Sequence, residues 1–234
     1  DGTTSRGLGD VYKRQLESWI SILSMHRSTS RMLSISDRAA SRIIREQKRI
    51  PSGCMEALIN LISHDLESAA NGLNRVVLEG SDSARIILAG NLDPIAGRDR
   101  KLALDLYDKL SLNSDTGVLL VLSSSLYPLC YDDPEAFQVR AMRLIETEDD
   151  KVIRRLIESG FRGYLGRDPQ DKSSLLVMAW KYGGSLSKSR LKGLIFQQKQ
   201  SSEENFRRTI TRIQKFSETD ALGLLEYVEG REVP

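Results

Sequence analysis

A chain of 234 residues, 40% hydrophobic and 28% charged, is of globular composition and long enough for a substantial core. Its net charge of +2 is far from the strongly basic balance of a dedicated nucleic-acid binder. Cys54 and Cys130 lack CxxC spacing and give no disulfide framework, and the longest uninterrupted apolar run, residues 118–122, is far short of the roughly 20 residues of a membrane span.

The first fifteen residues include GLGDVYKRQ at positions 7–15, which resembles a translated sequencing-adapter scar. Residues 1–15 are therefore expected to be a non-native leader, with a single helical domain over 16–234. Leu16, Trp19, Ile20 and Leu23 fall on one face of a short helix, and a Ser/Arg-rich connector is expected through Ser34. Ser36 or Asp37 is placed to cap a helix ending before Pro51, with Ala39, Ala40, Ile43 and Ile44 on one face. Arg38, Arg42, Arg45 and Arg49 form a basic stripe opposite, read as the solvated face of an end helix. Ser52 opens another helix through Leu58, Leu61 and Ile62.

From Asp65 onward the pattern repeats. Asn71-Gly72 is expected to interrupt a first helix, because a mid-helix glycine costs about 1 kcal/mol, and residues 90–97 read as a loop. Leu102, Leu106 and Leu110 mark a helix after Asp99, and residues 118–126, apolar nearly all round, predict a deeply buried one. Asp133 is a good N-cap with Pro134 where a missing N–H costs nothing, and Phe137, Ala141 and Leu144 fall on one face. Thr147 with Asp150 has the spacing of a capping box for a second helix carrying Val152, Ile153, Leu156, Ile157 and Phe161, with Lys151, Arg154, Arg155, Glu158 and Arg162 opposite and Gly163 and Gly166 as its stop. Asp168-Pro169 repeats the opening. Ser201 with Glu204 suggests a capping box before Phe206, Ile210 and Ile213, and Leu222, Leu225 and Val228 mark a final helix.

The openings at Asp65, Asp99, Asp133, Asp168 and Ser202 are spaced by 34, 34, 35 and 34 residues, and second helices keep step near Ser81, Ser114, Asp149, Ser185 and Ser217. A helical hairpin with one apolar stripe per helix buries both stripes only against neighbours of its own kind. With Asp133-Pro134 followed by Val139-Arg140-Ala141, the chain resembles the HEAT-like two-helix repeat families, although three extra residues separate the two fragments. That resemblance implies an all-α, right-handed α-solenoid of five to six antiparallel hairpins, in which second helices line a concave surface.

Candidate chemistry is sparse. Two histidines, His26 and His64, give little material for a metal or nucleophilic site, and Glu146, Glu148, Asp149 and Asp150 read as favourable charge at a helix N-terminus. No cofactor is expected. Charge is segregated, however. Between Asp171 and Glu203 there is no carboxylate, while Lys172, Lys181, Lys188, Arg190, Lys192 and Lys199 fall there beside Trp180 and Tyr182. On the implied architecture, Lys188, Arg190 and Lys192 face a groove, with Lys181 adjacent and Trp180 or Tyr182 as aromatic anchors. The expected function is a soluble, cytoplasmic, non-enzymatic scaffold taking a protein partner with an acidic surface and having no membrane partner. The alternative is a nucleic-acid groove like that of HEAT-like glycosylases that remove alkylated bases.

Overall fold

The computed structural model describes residues 29–45, 52–112, 115–161, 174–215 and 226, and the secondary structure among them is helical. In chain order the helices are α1 (Thr29–Arg45), α2 (Ser52–Leu61), α3 (Leu66–Glu79), α4 (Asp82–Gly90), α5 (Leu92–Ala96), α6 (Arg100–Ser111) and α7 (Thr116–Leu129). They continue as α8 (Pro134–Ile145), α9 (Asp150–Leu156), which runs on as a π turn (Ile157–Phe161), α10 (Leu175–Tyr182), α11 (Ser185–Ser201) and α12 (Glu203–Gln214).

The repeat is written in the caps. Asp65, Asp99 and Asp133 each accept from the backbone N–H three residues on, at 3.0, 2.8 and 2.9 Å, which satisfies one orphan donor of α3, α6 and α8 in turn. The Ser68 hydroxyl also donates to Asp65 at 2.6 Å, and that bond, with those from the backbone, holds the Asp65 carboxyl below its ordinary range. Ser81 caps α4 as expected. Asp115, one residue after the expected Ser114, accepts from Val118 N–H at 3.0 Å and opens α7. Asp168 and Ser217, with the leader, the 16–25 helix, His26, Arg49, Gly163, Gly166, Lys172 and the final helix around Leu222, lie outside the described residues. The helix that follows Asp168 is capped by Ser174.

Several local expectations are corrected. Ser36 and Asp37 do not open a helix: α1 starts at Thr29 and carries both in mid-course, where Ser36 is buried and donates through its hydroxyl to the Ser68 carbonyl. Residues 90–97 are not a loop, because α5 turns Leu92 and Ile95 into the core. Thr147 forms no box with Asp150. It donates to the Leu144 carbonyl at 2.7 Å, and Asp149 caps α9 by accepting from Lys151 and Val152 N–H. Ser201 is the last residue of α11, and Glu204 pairs with Arg208.

The chain divides into two compact units, Asp1–Val118 and Leu119–Pro234. In the first, α1 packs on α2 and α3, α3 packs on α4 and α6, and α5 packs on α6. Ala39, Ala40, Ile43, Leu58, Leu73, Val76, Leu106 and Tyr107 are buried there, and full burial of each large aliphatic side chain contributes about 1.5–3 kcal/mol. Gly72 does not interrupt α3. It sits where the helices come closest: a Cβ there would lie 2.8 Å from Leu58 Cδ2 and closer still to Ser36 Oγ. Glycine is therefore the packing solution at that position. Outside the core, Arg75 ties α3 to α1 through Asp37 and to its own helix through Glu79.

In the second unit α8 packs on α9 and α10, while α9 packs on α11. Ser123, Ser124 and Ser125, which break the apolar run of α7, return their hydroxyls to the carbonyls of Leu119, Leu120 and Val121, so none leaves a bare donor inside the helix. Gly160, in the π turn, lets the Phe137 ring in, since a Cβ there would lie 2.9 Å from Phe137 Cζ.

Two glycines that look alike in sequence should respond oppositely. Gly72→Ala is expected to lower stability by about 1–3 kcal/mol through overpacking. Gly193→Ala, within α11 with no atom near its Cβ position, should raise stability by about 0.5–1 kcal/mol. Urea midpoints of the two variants against the parent chain test both signs.

Candidate functional site

Asp150, the first residue of α9, places the candidate surface. Its carboxylate reaches across to the start of α11. Oδ1 accepts from the N–H groups of Gly184 and Ser187, both at 2.9 Å, and Oδ2 accepts from Leu186 N–H at 3.0 Å. The Ser187 hydroxyl donates in return to the Asp150 carbonyl at 2.9 Å. Three N–H groups at the N-terminus of α11 are thus satisfied by a side chain of another helix. Gly184 makes room, since a Cβ there would lie 2.7 Å from Asp150 Oδ2, and a Cβ on Gly183 would lie 2.7 Å from Ser187 Cβ. Partial burial pushes the Asp150 carboxyl up, but the hydrogen bonds from Ser187, Leu186 and Gly184 outweigh it, and the group titrates below its ordinary range.

Fixed in this way, α9 and α11 bring their cations together. Lys151, Arg154 and Arg155 stand exposed on α9, and Arg190 stands exposed on α11 with Lys188 and Lys192 half-buried beside it. Glu158 is the meeting point. Arg154 Nε lies 3.0 Å from its Oε1, Arg155 Nη1 3.9 Å from Oε2, and Arg190 Nε 3.9 Å from Oε1. The Glu158 side chain is 24% exposed and that of Arg190 is 54%. Arg155 is held further by its Nε, which donates to Ser124 Oγ at 2.7 Å. One carboxylate therefore faces three guanidinium groups.

The expected aromatic anchors are elsewhere. Trp180 is only 5% exposed and belongs to the core with Leu175, Leu176, Val177 and Ala179, so it is corrected from surface anchor to interior residue. Its ring carries Lys188 Nζ at 5.8 Å, and Tyr182, half-buried, carries Lys181 Nζ at 4.7 Å from its ring centroid. Both lysines are spent in part on rings of their own chain. Of the expected site residues, the structure brings Arg190 into the α9 cluster and places Lys188 and Lys181 over the two rings.

The sequence put Arg154, Arg155 and Glu158 on the polar face of their helix but did not join them to Arg190. The signal was present in the period, because Asp150 and Gly184 stand 34 residues apart, one repeat. Among the described residues, no group of three His, Cys, Asp and Glu side chains is placed to hold a metal ion, and no helix is long and apolar enough to cross a membrane. Comparison with protein-family models, with curated proteins and with solved structures finds no match. What stands is an all-helical protein.

Asp150→Ala should cost about 0.5–2 kcal/mol, the range for losing an N-cap. The folded-state carboxyl is depressed relative to the unfolded one, so its contribution is complete above the unfolded range, near about pH 4, and is lost as pH falls through the depressed value. Unfolding midpoints measured from neutral pH to pH 3 should therefore fall less steeply in the variant than in the parent chain.

Proposed function

We propose that this chain is a helical-repeat binding module of the HEAT-like kind, a non-enzymatic scaffold that takes an acidic segment of a protein partner on the α9–α11 face. The repeat reading is supported by caps at one-repeat spacing and by the order of packing in the second unit, α8 on α10 and α9 on α11. The binding reading is carried by one observation: two neighbouring second helices expose cations that converge on a single carboxylate, with Arg190 joined to Glu158. Exposed charge of one sign attracts a partner of the other sign and raises its rate of encounter. A protein partner is preferred to a nucleic acid because a net charge of only +2 is far from the strongly basic balance of a dedicated nucleic-acid binder. The aspartate at the start of that face, Asp150, is engaged by three backbone N–H groups, which does not suit it to act as the catalytic carboxylate of base excision.

The test compares an Asp/Glu-rich peptide with duplex DNA in a fluorescence-anisotropy titration over a salt series. The peptide should bind and weaken as salt rises, and the double variant Lys151→Glu/Arg190→Glu should lose about tenfold or more in affinity while its melting temperature stays near that of the parent. Absence of peptide binding at low salt would remove this reading, and tighter binding of DNA would replace it with the nucleic-acid alternative.

A further inference from the structure

The three guanidinium groups around Glu158 define more than a diffuse positive face. Arg154 is engaged at 3.0 Å, but Arg155 and Arg190 stand off at 3.9 Å, beyond hydrogen-bond reach. Most of their N–H donors are unused by Glu158: Arg155 spends its Nε on Ser124, and Arg190 has no other partner among the described residues. The local count is three positive charges against one negative, with the carboxylate set deeper, at 24% side-chain exposure against 48–54% for the arginines. A point surplus of two charges, presented by planar multi-donor groups, differs from what a run of singly charged carboxylates requires. It matches an anion that brings about two charges and three acceptor oxygens to one spot, as a phosphate monoester does near neutral pH.

We propose that Arg154, Arg155 and Arg190 form a seat for a phosphorylated side chain of a protein partner, and that Glu158 is the resident carboxylate that gathers the three guanidiniums and limits the affinity of the seat. The proposal rests on the reading of the α9–α11 face as a surface for an acidic protein segment and names the group that segment presents. The geometry favours a monoester over the phosphodiesters of a nucleic acid, which carry one charge each and are spread along a strand. Glu158 acts on the ligand through charge alone: a carboxylate beside an incoming anion repels it, and near a protein surface one such repulsion is worth a few-fold in affinity.

Three versions of one acidic peptide, carrying phosphoserine, glutamate or serine at its centre, are titrated by anisotropy into the full chain and into the variants Arg190→Gln and Glu158→Gln. The phosphoserine peptide should bind the parent about tenfold more tightly than the glutamate peptide. Arg190→Gln should remove most of that difference and leave the serine peptide within about twofold of the parent. Glu158→Gln should tighten the phosphoserine peptide about three- to fivefold, which a purely structural ion pair would not do. Melting curves of both variants, expected near the parent's, separate loss of the seat from loss of the fold.

Equal affinity for the phosphoserine and glutamate peptides overturns the seat while leaving the acidic-partner reading intact. Failure of all three peptides to bind removes both. A DNA oligonucleotide that outcompetes the phosphoserine peptide assigns the cations to nucleic acid and overturns the seat.

Discussion

The carboxylate of Asp150 does in one contact what two separate features would otherwise have to do. A helix N-terminus leaves four N–H groups without partners, and a packed pair of helices has no intrinsic reason to hold one register along their common axis. By accepting from Gly184, Leu186 and Ser187, Asp150 satisfies three of those donors and fixes the register. The reciprocal bond from Ser187 Oγ to the Asp150 carbonyl means that neither helix can slide without losing hydrogen bonds from both sides. Glycines at 183 and 184 follow from this arrangement, since side chains there would enter the space that the carboxylate, Ser187 and the end of α10 occupy. Once the N-termini are pinned, Arg190 reaches Glu158 as a consequence of helical geometry, and the charged face is assembled with no further constraint.

The division between what could and could not be read in the sequence follows the range of the interaction. Local signals were legible. Asp65, Asp99 and Asp133 each cap a helix because an N-cap involves only residues three apart, and their spacing gave the repeat before any packing was known. Signals that depend on a distant neighbour were not. Gly72 carries a propensity penalty that argues against a helix, and α3 runs through it because Ser36 and Leu58, far away in sequence, leave no room for a Cβ. Leu92 and Ile95, three apart, give too short a pattern to mark a helix among Asn, Asp, Pro and Gly, yet burial of those two side chains makes one. Asp150 was placed in a cap of its own helix, and it is instead the cap of another.

The same rule explains the candidate surface. Cations without nearby carboxylates are a compositional fact and were visible at once in residues 172–202. That Arg190 shares a face with Arg154 and Arg155 was not, because that depends on the pairing of α9 with α11. Trp180 shows the opposite error. Beside lysines it looked like an anchor for a partner, but α10 is only eight residues long and nearly all of them are apolar. A short helix of that kind has no polar side to turn outward, so burial claims the indole, and Lys188 lays its charged end over the ring.

Folding stability does not account for the cluster at Glu158. Ion pairs between half-exposed side chains contribute about 0–1 kcal/mol each, and two of the three pairs here are stretched to 3.9 Å. Set against that small gain is the mutual repulsion of three guanidinium groups, of which one carboxylate can neutralise only a third. Asp150 lies on the other side of the comparison: its hydrogen bonds are well formed, numerous and directed at the backbone, so its contribution is to the fold. The two acidic residues of one helical segment thus have opposite characters, eight positions apart. Asp150 is saturated and structural. Glu158 is outnumbered by three half-exposed arginines, and solvent screens their excess charge, so it costs the folded chain little to keep.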